Sequence, residues 1–191
     1  MSATTQTVTL YQIIRPSSRW LELPVLLGFN LLLAACAQIA IDLPFVPITG
    51  QTFGVLLVAM ALGRVRGTAV VMAYIVEGAC GLPVFAEGRA GMAVLMGPTG
   101  GYLVGFLAAA ALTGWLADKG WDKRYITSVG AMALGTLAVF ACGVAWLSWF
   151  VPTDSLMSVG VTPFIPGAII KISLAAAILP SIWKFIRPRG E

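Results

Sequence analysis

Hydrophobic residues run along this chain in long blocks rather than in alternation, and charged residues fall almost wholly between the blocks. A block that is apolar all round and about 20 residues long matches the thickness of a bilayer core at about 1.5 Å rise per residue. Residues 23–41 are uncharged, end at Asp42 and carry Pro24 in what becomes a first helical turn, so they predict a first membrane span. Residues 43–63 are uncharged too, but Pro44, Pro47 and Gly50 break their start and leave about 51–62 for a short second span. After Arg64 and Arg66, residues 67–85 predict a third span, interrupted by Glu77 and closed by Gly81-Leu82-Pro83. Residues 86–101 are glycine-rich and read as irregular. Residues 102–117 predict a fourth span, 125–151 a long fifth and 164–183 a sixth that contains Lys171, while 152–163 read as a second irregular loop.

The fold class expected is therefore all-α: a polytopic membrane protein whose six transmembrane helices form one bundle over residues 23–186. An N-terminal tail (1–22) and a C-terminal tail (187–191) flank it, and the first nineteen residues lack the pattern of a removable signal peptide. Composition agrees, with 59% of residues hydrophobic and 10% charged. One soluble core of this length needs polar outer helix faces, which these blocks do not provide.

Charge gives the orientation. Arg15, Arg19, Arg64, Arg66, Lys119, Lys123, Arg124, Lys184, Arg187 and Arg189 fall on one side of the alternating spans, and only Arg89 on the other. The positive-inside rule then places both termini in the cytoplasm and the segments 42–51, 83–101 and 152–163 outside. The net charge of +4 is explained by that bias and calls for no nucleic-acid partner. Three segments rich in glycine and proline thus gather at one face, where irregular backbone is tolerated only if protein, water or ligand satisfies it. A pocket opening to the exterior follows.

Several chemistries are disfavoured. There is no histidine, hence no usual general base and no commonest metal ligand. Cys36, Cys80 and Cys142 are scattered among apolar residues and suggest packing rather than a disulfide framework or a zinc site. The phosphate-loop pattern GxxxxGK[ST] is absent, so any ATP hydrolysis belongs to another protein. Neither an enzyme nor a cofactor is expected, and a purely structural subunit would not need a lysine buried under such loops.

Lys171, inside the sixth span, is the most informative residue, since an intramembrane cation must face the protein interior or snorkel. The functional reading makes it a donor to an anionic or carbonyl-bearing ligand; the structural one makes it part of a pair. Glu77 is the other intramembrane charge and is open to a ligand role, an interfacial position, pairing with Arg89 or capping of backbone amides. Arg89, between Gly88 and Gly91, is either a carboxylate clamp or a solvated loop charge. Gln51 offers a donor and an acceptor at the mouth of the second span, and Phe53, Phe85 and Tyr102 bracket the same loops, as pocket wall or as aromatic belt. Gly101 and Gly105 form GxxxG and read as helix packing, and Trp146, Trp149 and Phe150 as belt.

Four ordered segments carry a resemblance: Pro47-Ile-Thr-Gly-Gln-Thr-Phe-Gly-Val55, Gly81-Leu-Pro-Val-Phe85, Gly97-Pro-Thr-Gly-Gly-Tyr-Leu-Val-Gly-Phe106, and Pro163-Phe-Ile-Pro-Gly167 with Lys171. Together, over about residues 23–185, they resemble the BioY family. The resemblance implies the fold of the S component of an energy-coupling-factor (ECF) transporter in a bacterial cytoplasmic membrane, with biotin held near the exterior face. It implies as partners biotin, the lipid bilayer, a membrane coupling protein and two ABC-type ATPases. A solitary biotin carrier, working as a homo-oligomer without ATPases, is the alternative, as is an S component for another vitamin. By the resemblance Lys171 bonds the ligand, with Gln51, Arg89 and the loop around Gly97, Gly100 and Gly101 assisting. Two departures stand out. Ala168 occupies the place, three residues before the lysine, where many relatives carry an acid, which makes Glu77 a candidate replacement. Pro24 and Gly28 stand where an alanine stripe for partner docking is expected.

Overall fold

A computed structural model describes residues 9–14 and 19–186. Arg15, Arg187, Arg189, the start of the N-terminal tail and the C-terminal tail expected at 187–191 lie outside the described residues. In chain order the elements are α1 (Leu10–Ile14), α2 (Arg19–Gln38), β1 (Ala40–Ile41), β2 (Ile48–Thr49), α3 (Gln51–Ala79), α4 (Met92–Met96), α5 (Gly100–Asp118), α6 (Tyr125–Leu147), α7 (Thr153–Gly160) and α8 (Ile165–Ile186). Among the described residues, five helical stretches are long and apolar enough to cross a membrane: Trp20–Gln38, Gln51–Ala79, Gly100–Asp118, Tyr125–Leu147 and the Thr153–Ile186 run that ends in α8.

The expected second and third spans are both contained in α3, which is not straight. Gly63 breaks it at φ 78°, ψ 179°, a conformation that a side chain resists. Gln51 Nε2 donates to Tyr74 Oη at 2.6 Å, whereas 23 residues of straight helix would hold them about 34 Å apart. The two arms, 51–62 and 64–79, therefore lie side by side as a hairpin. Its turn is held by α5, where Asp118 Oδ2 accepts from the backbone N–H of Arg64 at 3.2 Å. A carboxylate there satisfies an orphan donor at the start of the second arm.

α3 and α5 form the inner layer of the bundle, and α2 and α8 the outer one, as the buried shares of their apolar stretches show. Leu23, Leu27 and Leu31 on α2 and Ile170, Leu174 and Ile178 on α8 point outward. The GxxxG of α5 works as expected: a Cβ on Gly101 would lie 2.1 Å from Trp146 Cβ, and one on Gly105 2.9 Å from Val139 Cα, so α5 and α6 meet backbone to backbone.

Three expectations need correction. The segment before the first span, read as a tail, contributes α1, whose Leu10 and Tyr11 are buried, with the Arg66 guanidinium 4.5 Å above the Tyr11 ring. The helix of the first span starts at Arg19, ahead of the expected residue 23, because Trp20, Leu21 and Glu22 continue it and Glu22 pairs with Arg66 at 2.7 Å. The segments read as irregular hold two short helices, α4 and α7. Pro152 precedes α7 in an extended conformation and Asp154 sits in its first turn, favourable chemistry for a helix start that is too short to show as a span. Also unanticipated is the β1–β2 pair, antiparallel with Ala40 opposite Thr49 and Ile41 opposite Ile48.

At the end bearing Arg64 and Lys119, Asp122 is closed from solvent and its Oδ2 accepts from Trp183 Nε1 at 2.5 Å, tying the α5–α6 connection to α8. Burial raises its carboxyl to about 6 from an ordinary 3.8, against the opposing effect of the Trp183 bond.

Candidate functional site

At the opposite end of the bundle the loops and helix ends surround a cavity with about 810 Å³ of space free of protein atoms, its mouth included. Lys171, Gln51, Arg89, Phe85 and Tyr102, all expected at a site, line it. They reach the cavity from α3, α5, α8 and the α3–α4 connection, which carries both Phe85 and Arg89, so the site exists only once the bundle has assembled.

Lys171 is half-buried on α8 and points inward, where Nζ donates to the backbone carbonyl of Thr49 at 2.5 Å. An ammonium has three protons, so two remain for a ligand. Thr49 Oγ1 in turn donates to Gln51 Oε1 at 2.9 Å, Gln51 Nε2 donates to Tyr74 Oη at 2.6 Å, and Tyr74 Oη donates to the carbonyl of Val84 at 2.9 Å. This chain of bonds joins α8, β2, both arms of α3 and the segment after α3. In an apolar bundle such a network is stable because its members satisfy one another. Gln51 is thus an organiser of the site as well as part of its wall.

Apolar walls complete the cavity. Phe85 is almost fully buried and meets Tyr74 edge to face at 5.6 Å between ring centroids. Tyr102 turns its ring to the cavity, donates its hydroxyl to the carbonyl of Gly160 at 2.7 Å, and lies 6.1 Å from the Phe164 ring, which is 6.2 Å from Phe140. Leu56, Leu103 and Phe106 fill the inner end. Arg89 stands at the mouth with Nη2 donating to Asp42 and to Glu87.

Other expected residues lie elsewhere. Glu77 is half-buried on the second arm of α3, off the cavity wall, and Arg89 pairs with Asp42 and Glu87 instead of with it. Phe53 packs against the core and not on the wall. Gly97, Gly100 and Gly101 are also off the wall; the carbonyl of Gly97 accepts from Trp146 Nε1 at 3.0 Å, and a Cβ on Gly100 would strike the carbonyl of Leu95. From this segment Thr99 and Tyr102 face the cavity instead. Sequence reasoning missed Tyr74, Phe140 and Phe164. Only Tyr74 carried a signal, since a phenol inside a span needs a partner.

A bundle of apolar helices with a lysine-bearing cavity at one end defines a multi-pass membrane protein that holds a small molecule. The family follows from comparison with known proteins. The model of the BioY family matches residues 14–188, and the chain belongs to that family. It is 42% identical over 151 residues to the biotin transporter BioY of Thermotoga maritima, covering 78% of this chain and 88% of that protein. To the probable biotin transporter BioY of Pyrococcus horikoshii it is 36% identical over 157 residues, covering 82% and 93%. Among solved structures, the crystal structure of the S component for biotin from an ECF-type ABC transporter superposes with a TM-score of 0.76 at 27% identity, covering 88% of this chain and 95% of that one.

Proposed function

We propose that the protein captures biotin at the exterior face of a bacterial cytoplasmic membrane, as the substrate-binding component of an ECF-type transporter. In this reading each arm of the α3 hairpin crosses the membrane, giving six crossings with both termini in the cytoplasm. That count supports the charge bias, because Arg64 and Arg66 at the hairpin turn then share a side with Lys119, Lys123, Arg124 and Lys184.

The observation that carries the proposal is Lys171 inside an apolar cavity, tied to Thr49 and with two protons to spare. Biotin has an apolar thiophane and valeryl body, a ureido group and a carboxylate. The body suits the Phe85, Phe106, Tyr102 and Phe164 walls. The ureido oxygen suits the inner donors, Lys171 above all, and the carboxylate suits Arg89 at the mouth. Ala168 lines the cavity one turn before Lys171, so the acid carried there by many relatives is absent from the wall; the hydroxyls of Thr52, Thr99 and Thr136 are the nearest substitutes for ureido N–H donors. Glu77, off the wall, does not serve.

The chain supplies binding and no catalytic step, so a membrane coupling protein and two ATPases drive release to the inside. One observation favours the solitary-carrier reading. Gly28 faces away from the rest of the bundle and, with Pro24, replaces the expected alanine stripe, which leaves α2 poorly furnished for docking. Co-purification with ATPase partners discriminates between the two. The test of capture is equilibrium binding of labelled biotin to the purified protein in detergent: saturable binding, displaced by unlabelled biotin, is expected, and its absence overturns the proposal.

A further inference from the structure

The guanidinium of Arg89 is already engaged. Its Nη2 donates to Asp42 Oδ1 at 3.2 Å and to Glu87 Oε2 at 2.5 Å. A guanidinium offers a carboxylate two bidentate edges, Nη1 with Nη2 and Nε with Nη2, and Nη2 belongs to both. Both of its protons are spent on the two acids. No ligand carboxylate can take a bidentate seat on Arg89 without displacing at least one of them.

The two acids come from separate segments, so the pairs also link them. Asp42 follows β1, and Glu87 sits in the turn after Phe85 at φ 59°. The backbone around Arg89 is held independently: Phe85 N–H donates to the Arg89 carbonyl at 3.1 Å, and Gly88 N–H donates to Gln38 Oε1 at 3.0 Å. Loss of an acid therefore leaves the Arg89 backbone in place. Asp42 and Glu87 are both partly exposed, 65% and 32% of their side chains, so each can return to water when displaced.

We propose that Asp42 and Glu87 are placeholders. They hold Arg89 where a ligand's carboxylate belongs, and exchange of one carboxylate for another admits anionic ligands over neutral ones of the same shape. Exchange at Asp42 also removes one link between the residue that follows β1 and the segment that carries Arg89. The proposal rests on the reading of the cavity as a biotin site.

The test measures equilibrium binding of biotin, and of the biotin carboxamide in which a neutral amide replaces the carboxylate, to the purified full-length protein. Asp42→Asn, Glu87→Gln, the double variant and Asp154→Asn are compared with wild type. Asp154→Asn removes one carboxylate charge, as each single variant does, from α7 and away from the Arg89 pairs. The double variant is expected to bind biotin about threefold to tenfold tighter, as loss of two exposed competing pairs implies. Carboxamide binding stays unchanged, which also reports that the variants fold, and Asp154→Asn leaves both ligands unaffected. Unchanged or weaker biotin binding by the double variant overturns the proposal, as does an equal shift for both ligands or for Asp154→Asn. Equal wild-type affinity for the two ligands overturns it as well, while biotin capture stands. If wild type binds neither ligand, capture itself falls, and the placeholders with it.

Discussion

Replacing Lys171 by methionine keeps an unbranched side chain only one atom shorter and removes its charge, which separates binding from folding. Lys171 Nζ donates a hydrogen bond to the Thr49 carbonyl. Removing that bond costs about 1.5–3 kcal/mol. Removing an ammonium from within a membrane span relieves about 2.5–3.5 kcal/mol on insertion scales. The two nearly offset, so stability should change by no more than about 2 kcal/mol in either direction. Binding has no such compensation. A charge-assisted bond to the ureido oxygen is worth about 1.5–3 kcal/mol, hence an affinity about 10- to 150-fold weaker. The assay pairs a thermal unfolding curve with labelled-biotin titration on the same preparation. A variant that unfolds near the wild-type temperature yet binds within twofold of wild type would refute the reasoning, because the lysine would then be structural only.

Three further outcomes are expected. Gly63→Ala should destabilise the bundle by several kcal/mol, since the φ of 78° resists a side chain and the new Cβ would strike Asp118 Oδ1, and thermal unfolding checks this. Tyr74→Phe should cost about 1–3 kcal/mol by leaving the Gln51 amide and the Val84 carbonyl without their partner; a double-mutant cycle with Gln51→Leu should show coupling, and strict additivity would deny that the two act as one network. Asp122 binds its proton more tightly when folded, with its carboxyl at about 6, than at the ordinary 3.8. The folded chain therefore holds more protons between those values, and its stability, full below about pH 4, declines as pH rises through about 6, by about 3 kcal/mol in all. Asp122→Asn should remove that slope, measured as the difference between the two unfolding temperatures across the range.

What the sequence made legible was whatever a bilayer forbids. Lys171 and Gln51 stood out because polar side chains in apolar segments need an interior partner, and the Gly50 and Gly81-Leu82-Pro83 breaks marked the helix ends that carry the cavity mouth. Phe140 and Phe164 could not be told from belt or lipid-facing aromatics, since helical periodicity says little when every face is apolar. The same loss of contrast left Glu77 open between the cavity and other positions: its depth was readable, its face was not. α7 stayed hidden because eight residues are too few for a span, and α1 because its five residues, Leu10–Ile14, are a short apolar patch in a mostly polar stretch of sequence.

The α3 hairpin sets a limit on how this chain can change in length. Gln51 and Tyr74 meet from opposite arms, so one residue inserted in either arm turns its far end by about 100° and pushes it along by about 1.5 Å. The phenol would swing off its amide, and the Thr49 and Lys171 bonds beyond it would lose their anchor. Deletions and insertions should accordingly be eliminated between residues 52 and 73, making the spacing of those two side chains as binding a requirement as their identity.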